Sequence, residues 1–427
     1  MDVWFDSGSS WTQLPQDRSP PADVYIEGTD QHRGWFQSSL LTYVAKQAPS
    51  SSTDTSFNTP PQAPYRTLIT HGFILDSLGR KMSKSIGNVI APSQITDGTL
   101  LPPLKKRKGQ SASDPPVYDA MGPDVLRLWV ASADYTKDVM IGQPVLKSVS
   151  GMLHKFRVTF RWLLGALEDY DPFAAPSPPS QTQPTFATRA STHHLTTTLI
   201  QAHTAYTSYE PHRAMLHLSR YVNTHLSAFY FEYAKDLLYA GTTGQRFEVQ
   251  KMCFEILQGL LTMLAPVTPI LVREVIDHAP VPLKQYFAAS EHDPLTRIWS
   301  ASEEEATQAA ENVLLEQQLT WLDATSSAVK AAQEAARADR KMGSGLECRV
   351  EIVLPAIIST TEPNQGSDIF AFLSTLQATG ELESLLVASE VQVSSSSSSS
   401  YKTTSPSSDP SHHDNVATTW SLSLIHI

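Results

Sequence analysis

Over the first third of the chain, short apolar runs alternate with helix-spaced ones. Val24-Tyr25-Ile26 and the stretch Thr67–Leu75 read as strands, and helical segments lie between them. This pattern predicts an α/β half-domain over residues 1–142. From Val145 the spacing changes. Leu146, Val149, Leu153, Phe156, Phe160, Leu163 and Leu167 recur every three or four residues. Met215, Leu218, Val222, Leu226, Phe229, Tyr233 and Leu237 repeat the signal. So do Met252, Cys253, Ile256, Leu257, Leu260 and Leu264, until Pro266 and Pro269 stop the helix. An all-α helical bundle is expected over residues 143–300, with these stripes as its core. Glu303–Arg340 is helical and rich in Ala and Glu. After Gly343-Ser344-Gly345, the residues Leu346, Cys348, Val350, Ile352 and Leu354 alternate as a strand does, predicting a small α+β module over 301–393.

Polar, Pro- and Ser-rich stretches (Ala48–Pro64, Gly98–Val117, Asp171–Phe186) punctuate this order. The final segment, 394–427, opens with the serine run Ser394–Ser400 and is too polar to bury a core, so a disordered tail is expected. The 427 residues suffice for two or three domains. No apolar run approaches the roughly 20 residues that a membrane span requires. A net charge of -11 excludes a general polyanion binder, so any nucleic-acid contact must be local. Residues 151–280 carry ten Lys/Arg against ten Asp/Glu, neutral within an acidic whole. The two cysteines, Cys253 and Cys348, exclude a disulfide framework and a cysteine zinc site, and fit a reducing compartment. Met1 runs straight into Asp2-Val3-Trp4-Phe5-Asp6-Ser7-Gly8-Ser9-Ser10-Trp11. That opening reads as a chain entered part-way, and the serine-rich end as an imperfect gene boundary.

Candidate chemistry concentrates in two places. Lys81-Met82-Ser83-Lys84-Ser85 follows the apolar stretch Thr67–Leu75 and the polar turn Asp76-Ser77-Leu78-Gly79-Arg80, and Gly87-Asn88 and Pro92 close it. Two ammonium groups three residues apart on a Gly-flanked loop can reach one polyphosphate, a task that suits lysine as a mobile point charge. A solvated surface turn is the alternative. Glu27-Gly28-Thr29-Asp30-Gln31-His32-Arg33-Gly34-Trp35-Phe36 follows a short strand and opens a helix, the place where doubly wound folds bind ligands. An ordinary capped helix, with Asp30 as cap and Trp35 in the core, is equally compatible with the decapeptide alone. Leu104-Lys105-Lys106-Arg107-Lys108 has the composition of a nuclear signal or an RNA patch, and in a polar insertion it reads as a solvated stretch open to opportunistic RNA contact.

The whole of His71–Pro92 resembles the KMSKS loop of class I aminoacyl-tRNA synthetases. Within that family, Glu27–Phe36 resembles the aminoacyl-adenylate motif of the isoleucyl enzymes, and Asp2–Trp11 a further signature of theirs. The helical part, with Tyr209-Glu210-Pro211-His212-Arg213 and Leu226-Ser227-Ala228-Phe229-Tyr230, resembles their anticodon-binding bundle. The likeness extends to about residue 355, keeps the family's motif order, and implies that the α/β half-domain over 1–142 is of the Rossmann type. It implies activation of isoleucine by ATP with Mg2+, then transfer to tRNA(Ile), by positioning and charge stabilisation more than covalent help. By the same resemblance, Lys84 binds ATP and Lys81 assists the departing pyrophosphate. Ser83 and Ser85 join them, and His71 approaches the adenine. Glu27, with Gly28, Asp30 and Gln31, holds the adenylate. Trp4 and Trp35 wall an aliphatic pocket, and no protein metal site is implied. A monomer without a membrane partner is expected, in the mitochondrial matrix or alternatively the cytoplasm.

The family's His-Ile-Gly-His signature, its inserted editing domain and its C-terminal cysteine module have no counterpart in this sequence. The chain is therefore expected to supply half of an active site and not to aminoacylate alone. A valyl or leucyl synthetase, and a catalytically inactive tRNA-binding module, are the rival readings. The string Asp30-Gln31-His32-Arg33-Gly34-Trp35 favours isoleucine.

Overall fold

The computed structural model describes residues 2–15, 17–18, 20–47, 60–105, 115–174, 184–299, 312–355, 365–396 and 421–426. The basic residues Lys106, Arg107 and Lys108 lie outside them. The chain forms two compact units, Met1–Leu153 and His154–Ile427.

In the first unit, α1 (Val3–Gly8) precedes β1 (Ala22–Gly28), and α2 (Trp35–Gln47) leads on to β2 (Tyr65–His71). β1 and β2 pair in parallel, with Tyr25 opposite Leu68 and Gly28 opposite His71. Helix α2 seats on the strands through Tyr25, whose hydroxyl lies 3.1 Å from Ser39 Oγ. It meets α1 where Gly8 has no Cβ: one placed there would stand 2.7 Å from Ser38 Cβ. The continuous strand expected over Thr67–Leu75 is broken, because β2 ends at His71 and β3 spans only Ile74–Leu75. The interruption has a physical cause. Gly72 approaches the Lys137–Asp138 backbone too closely for any side chain, and Phe73 N donates to Asp138 Oδ1 at 2.7 Å. β3 then pairs in parallel with β4 (Val139–Met140). Between β3 and β4 stand α3 (Pro92–Thr96) and α4 (Pro123–Ser132), the latter buried through Val125, Leu128 and Trp129.

Helix α5 (Gln143–Ala166) carries the expected stripe from Leu146 to Leu163, all of it buried, and the division between the units falls within it. The second unit continues with α6 (Phe186–Thr207), α7 (Pro211–Arg220), α8 (Phe231–Ala240), α9 (Thr243–Leu264), α10 (Pro269–Asp277) and α11 (Val281–Ala288). Between α7 and α8 the helix widens into a π segment, Tyr221–Tyr230. This moves the inward stripe. Phe229 and Leu237 were expected in the core, but Val222, Leu226, Tyr230, Ala234 and Leu238 are buried, one every four residues, while Phe229 and Leu237 are only half-buried. A wider helical turn advances the buried face by about one residue.

The α+β part is built on α12 (Val313–Ala338), β5 (Cys348–Pro355), α13 (Gln365–Ala378), α14 (Glu381–Leu386) and β6 (Glu390–Ser396). Its core of Trp321, Val329, Val350, Ile352, Leu373 and Leu382 includes Phe186 and Ala190 of α6, so it is continuous with the bundle. The expectation of a structureless segment from residue 394 needs correction at two places. Ser394, Ser395 and Ser396 pair with Val353, Leu354 and Pro355 as the end of β6. Residues Ser421–His426 form β7, antiparallel to β5, with Leu422 opposite Ile352 and Leu424 opposite Val350. Ser421-Leu422-Ser423-Leu424 alternates polar and apolar, the period of a strand, within a composition that otherwise reads as tail.

Candidate active site

The parallel pairing of β1 and β2 brings Glu27, Gly28 and His71 to one end of the two strands. Their Cα register puts Gly28 opposite His71, and Glu27 Oε1 lies 3.8 Å from His71 Nε2. His71 Nδ1 is 2.9 Å from the carbonyl of Gly72. A carbonyl only accepts, so this contact assigns the proton to Nδ1 and leaves Nε2 turned toward the carboxylate. Both side chains are substantially exposed, at 40% for His71 and 53% for Glu27, open to a ligand. Gly28 is buried because Asp30 folds over it: a Cβ there would meet Asp30 Oδ1 at 2.6 Å.

Beyond Gly28 the chain turns through a short 3-10 helix, Thr29–Arg33, into α2. Gln31 caps that entry, its Oε1 accepting Trp35 N at 3.1 Å while its Nε2 donates to Asp30 Oδ2 at 3.2 Å. Asp30 and Gln31 are thus fixed to one another. Trp35 stacks on Tyr25 with ring centroids 4.4 Å apart, and its Nε1 donates to Ser7 O at 3.0 Å. Trp4, 53% exposed, lies against Gly34, where a Cβ would stand 2.9 Å from its ring. Trp4 and Gln31 therefore flank Gly34 at the surface, and Trp35 forms the half-buried support beneath.

The lysine segment begins at the end of β3, where Leu75 makes an antiparallel bridge to Lys81. Asp76, Ser77, Leu78 and Gly79 form the intervening turn, closed by Asp76 N to Arg80 O at 2.9 Å. Gly79 takes φ +73°, a value that costs a residue with a Cβ. The Lys81 ammonium rests 4.1 Å above the Phe73 ring. Ser83 and Ser85 hydroxyls meet at 2.6 Å, and Gly87 N donates to Ser83 O at 3.1 Å, winding Ser83–Gly87 into one turn. Lys84 stands exposed on that turn. Among the described residues, no hydrogen bond or ion pair links this loop to the Glu27 cluster. Asp76, Arg80 and Asn88 form a polar network under the loop that the sequence pattern did not single out. The signal available was an Asp and an Asn, both backbone-bonding types, bracketing the lysines.

Two family descriptions match the chain. Residues 1–142 match "tRNA synthetases class I (I, L, M and V)", and residues 189–352 match "Anticodon-binding domain of tRNA ligase". Over these segments the chain is built of class I tRNA synthetase domains. Among its relatives, the chloroplastic/mitochondrial isoleucine–tRNA ligase of Arabidopsis thaliana is 36% identical over 402 residues, 93% of this chain and 33% of that protein. The isoleucine–tRNA ligase of Gloeobacter violaceus is 36% identical over 381 residues, 87% of this chain and 35% of that protein. The chain thus spans about a third of the length of these relatives. A solved Agrobacterium radiobacter LeuRS–tRNA–LeuAMS complex aligns with a TM-score of 0.44 at 16% identity, covering 88% of this chain and 38% of that one.

The synthetase match takes in the Glu27 cluster and the lysine loop, and the anticodon match runs from α6 to β5. On that second segment, two cavities of ≈ 530 and ≈ 450 Å³ share Thr196 and Glu255 along α6 and α9. Arg189 and Lys251 line the larger. Burial pushes the Glu255 carboxyl above its ordinary value, against the pull of Lys251. Among the described residues, no group of three or more His, Cys, Asp or Glu could hold a metal, and no helix is long and apolar enough to cross a membrane.

Proposed function

We propose that this chain provides the adenylate- and pyrophosphate-side part of an isoleucine–tRNA ligase active site, together with its tRNA-docking helices. The observation that carries the reading is the pairing of β1 with β2, which puts Glu27, Gly28 and His71 at one strand end in the unit that also presents Lys81 and Lys84. In this reading Glu27 faces the isoleucyl-adenylate, beside Asp30 and Gln31, and His71 approaches the adenine. Lys84 and Lys81, with Ser83 and Ser85, follow the phosphates as pyrophosphate departs, and Trp4 borders the aliphatic pocket. These groups supply charge and position, the dominant contributions where the protein takes little covalent part. In this reading Mg2+ enters with the triphosphate.

The second unit takes tRNA(Ile). Residues 151–280 are balanced in charge, so docking there rests on a few Lys/Arg–phosphate contacts, with Arg189 and Lys251 beside the larger α6–α9 cavity as candidates. The compartment in this reading is the mitochondrial matrix. It rests on one organellar relative among bacterial ones, and microscopy of the tagged full gene product tests it.

The test is a chimera in which the part of the Gloeobacter relative that precedes its matched segment is joined to the start of this chain. Isoleucine-dependent ATP–pyrophosphate exchange is expected from the chimera and not from the 427-residue chain alone. Exchange driven by valine or leucine in preference to isoleucine would replace the reading with a rival specificity. No exchange with any of the three would leave only a tRNA-binding module.

A further inference from the structure

Both ends of the lysine loop are tied to one carboxylate. Asp76, 6% exposed, stands where β3 ends. Its Oδ1 accepts the amides of Leu78 and Arg80, each at 2.9 Å. Its Oδ2 accepts Arg80 Nε and Asn88 Nδ2, again at 2.9 Å, and Arg80 Nη2 at the same distance. Asn88 lies on the far side of the lysines. Its Oδ1 accepts Ser83 N at 2.8 Å, and its Nδ2 also reaches Lys81 O at 3.3 Å. One amide side chain thereby joins the residue before the loop to two backbone groups inside it.

We propose that Asp76 and Asn88 form a positioning latch that holds the Lys81–Gly87 loop in the form that presents its lysines to a pyrophosphate group. The inference rests on the phosphate-binding role given above to Lys81 and Lys84. The chemistry of the pair is specific. Asn88 must donate to a carboxylate and accept from a backbone amide at once, which neither an apolar residue nor a second carboxylate can do. Arg80 neutralises the carboxylate, and the Asn88 amide, followed by the Arg80 bonds, holds the Asp76 carboxyl far below the usual carboxylate range. The latch is therefore fully charged at neutral pH. Gly79 at φ +73° and Gly87 at φ +70° bracket the loop, with open space where a Cβ would be, so their glycines answer to backbone conformation and not to crowding. Lys84 lies outside the ring of bonds. The latch fixes the base of the loop and leaves the cation exposed, an arrangement that limits the ordering cost of phosphate binding.

Hydrogen exchange at residues 81–88 and titration with inorganic pyrophosphate, both on the 427-residue chain, test this. Asn88→Ala is expected to speed exchange of the Ser83 amide and weaken pyrophosphate binding, each by about tenfold, the size of one charge-assisted bond. Peptides from residues 154–427 are expected to exchange as before. Asn88→Asp sets a carboxylate against Asp76 and is expected to do at least as much harm at pH 7. Relative to the unaltered chain it recovers by about pH 5, where the introduced acid is protonated and donates as the amide did. A variant that merely damaged the fold would show no such recovery. Lys84→Ala is expected to weaken pyrophosphate binding without speeding exchange. Unchanged exchange in Asn88→Ala would overturn the latch, and faster exchange at unchanged affinity would overturn its positioning role. No pyrophosphate binding by the unaltered chain would instead defeat the phosphate-site reading, and this inference with it.

Discussion

In the helical unit, Leu218, Val222, Leu226 and Leu257 are sealed completely from solvent. Between Lys81 and Asn88 the first unit buries no side chain, and the loop is held by hydrogen bonds to Asp76 and Asn88. Apolar burial is summed over many contacts and has no direction, so it makes a stable support. A few directed bonds at the surface fix a loop while leaving its cations free to meet a ligand. Substitutions in the helices therefore act on stability, and those in the loop on chemistry.

The largest effect expected is in the bundle. Leu226→Ala removes a fully buried side chain from the π segment and is expected to cost about 2–5 kcal/mol in denaturant unfolding. A loss under 1 kcal/mol would mean the segment is not part of the core. Acid comes next. Burial, reinforced by His225, His193 and Arg220, pushes the His194 imidazole down to about 3, and its ring stacks on His225 at 3.8 Å. The folded state keeps His194 neutral while the unfolded chain takes up a proton near its ordinary value of 6.5. Stability is therefore fully present above about pH 6.5 and is lost as pH falls toward 3. Replacing His194 by Gln is expected to flatten that slope, and an unchanged slope would move the acid sensitivity to other groups. The smallest effect belongs to the surface. Arg157 holds Glu274 through two bonds of 2.8 and 2.9 Å, but both are well exposed. Arg157→Ala is expected to cost less than about 1 kcal/mol by the same unfolding measurement.

The same contrast decides what the sequence made legible. The stripe from Leu146 to Leu163 followed helical spacing and is buried as expected, because burial repeats with the period of the element. Where the period itself changes, the reading slips: the π segment shifted the core from Phe229 and Leu237 to Tyr230 and Leu238. Strand β7 was hidden for a different reason. Six residues of alternation carry little weight beside a serine-rich composition, and the pairing with β5 is long-range. In the first unit, Glu27, Gly28, Lys81 and Lys84 were singled out by local pattern, and His71 by the family resemblance. Asp76 and Asn88, which brace the loop, looked like ordinary turn residues. Their partnership spans twelve positions and joins no periodic face.

The most direct test of the separation between support and chemistry is Lys84→Ala in the exchange-competent chimera, with exchange rate and thermal unfolding read on the same preparation. A loss of about 2–4 kcal/mol of barrier stabilisation is expected, the scale of one preorganised charge contact, with the melting temperature unmoved. An unchanged exchange rate, or a loss of rate that tracks a fall in melting temperature, would contradict it.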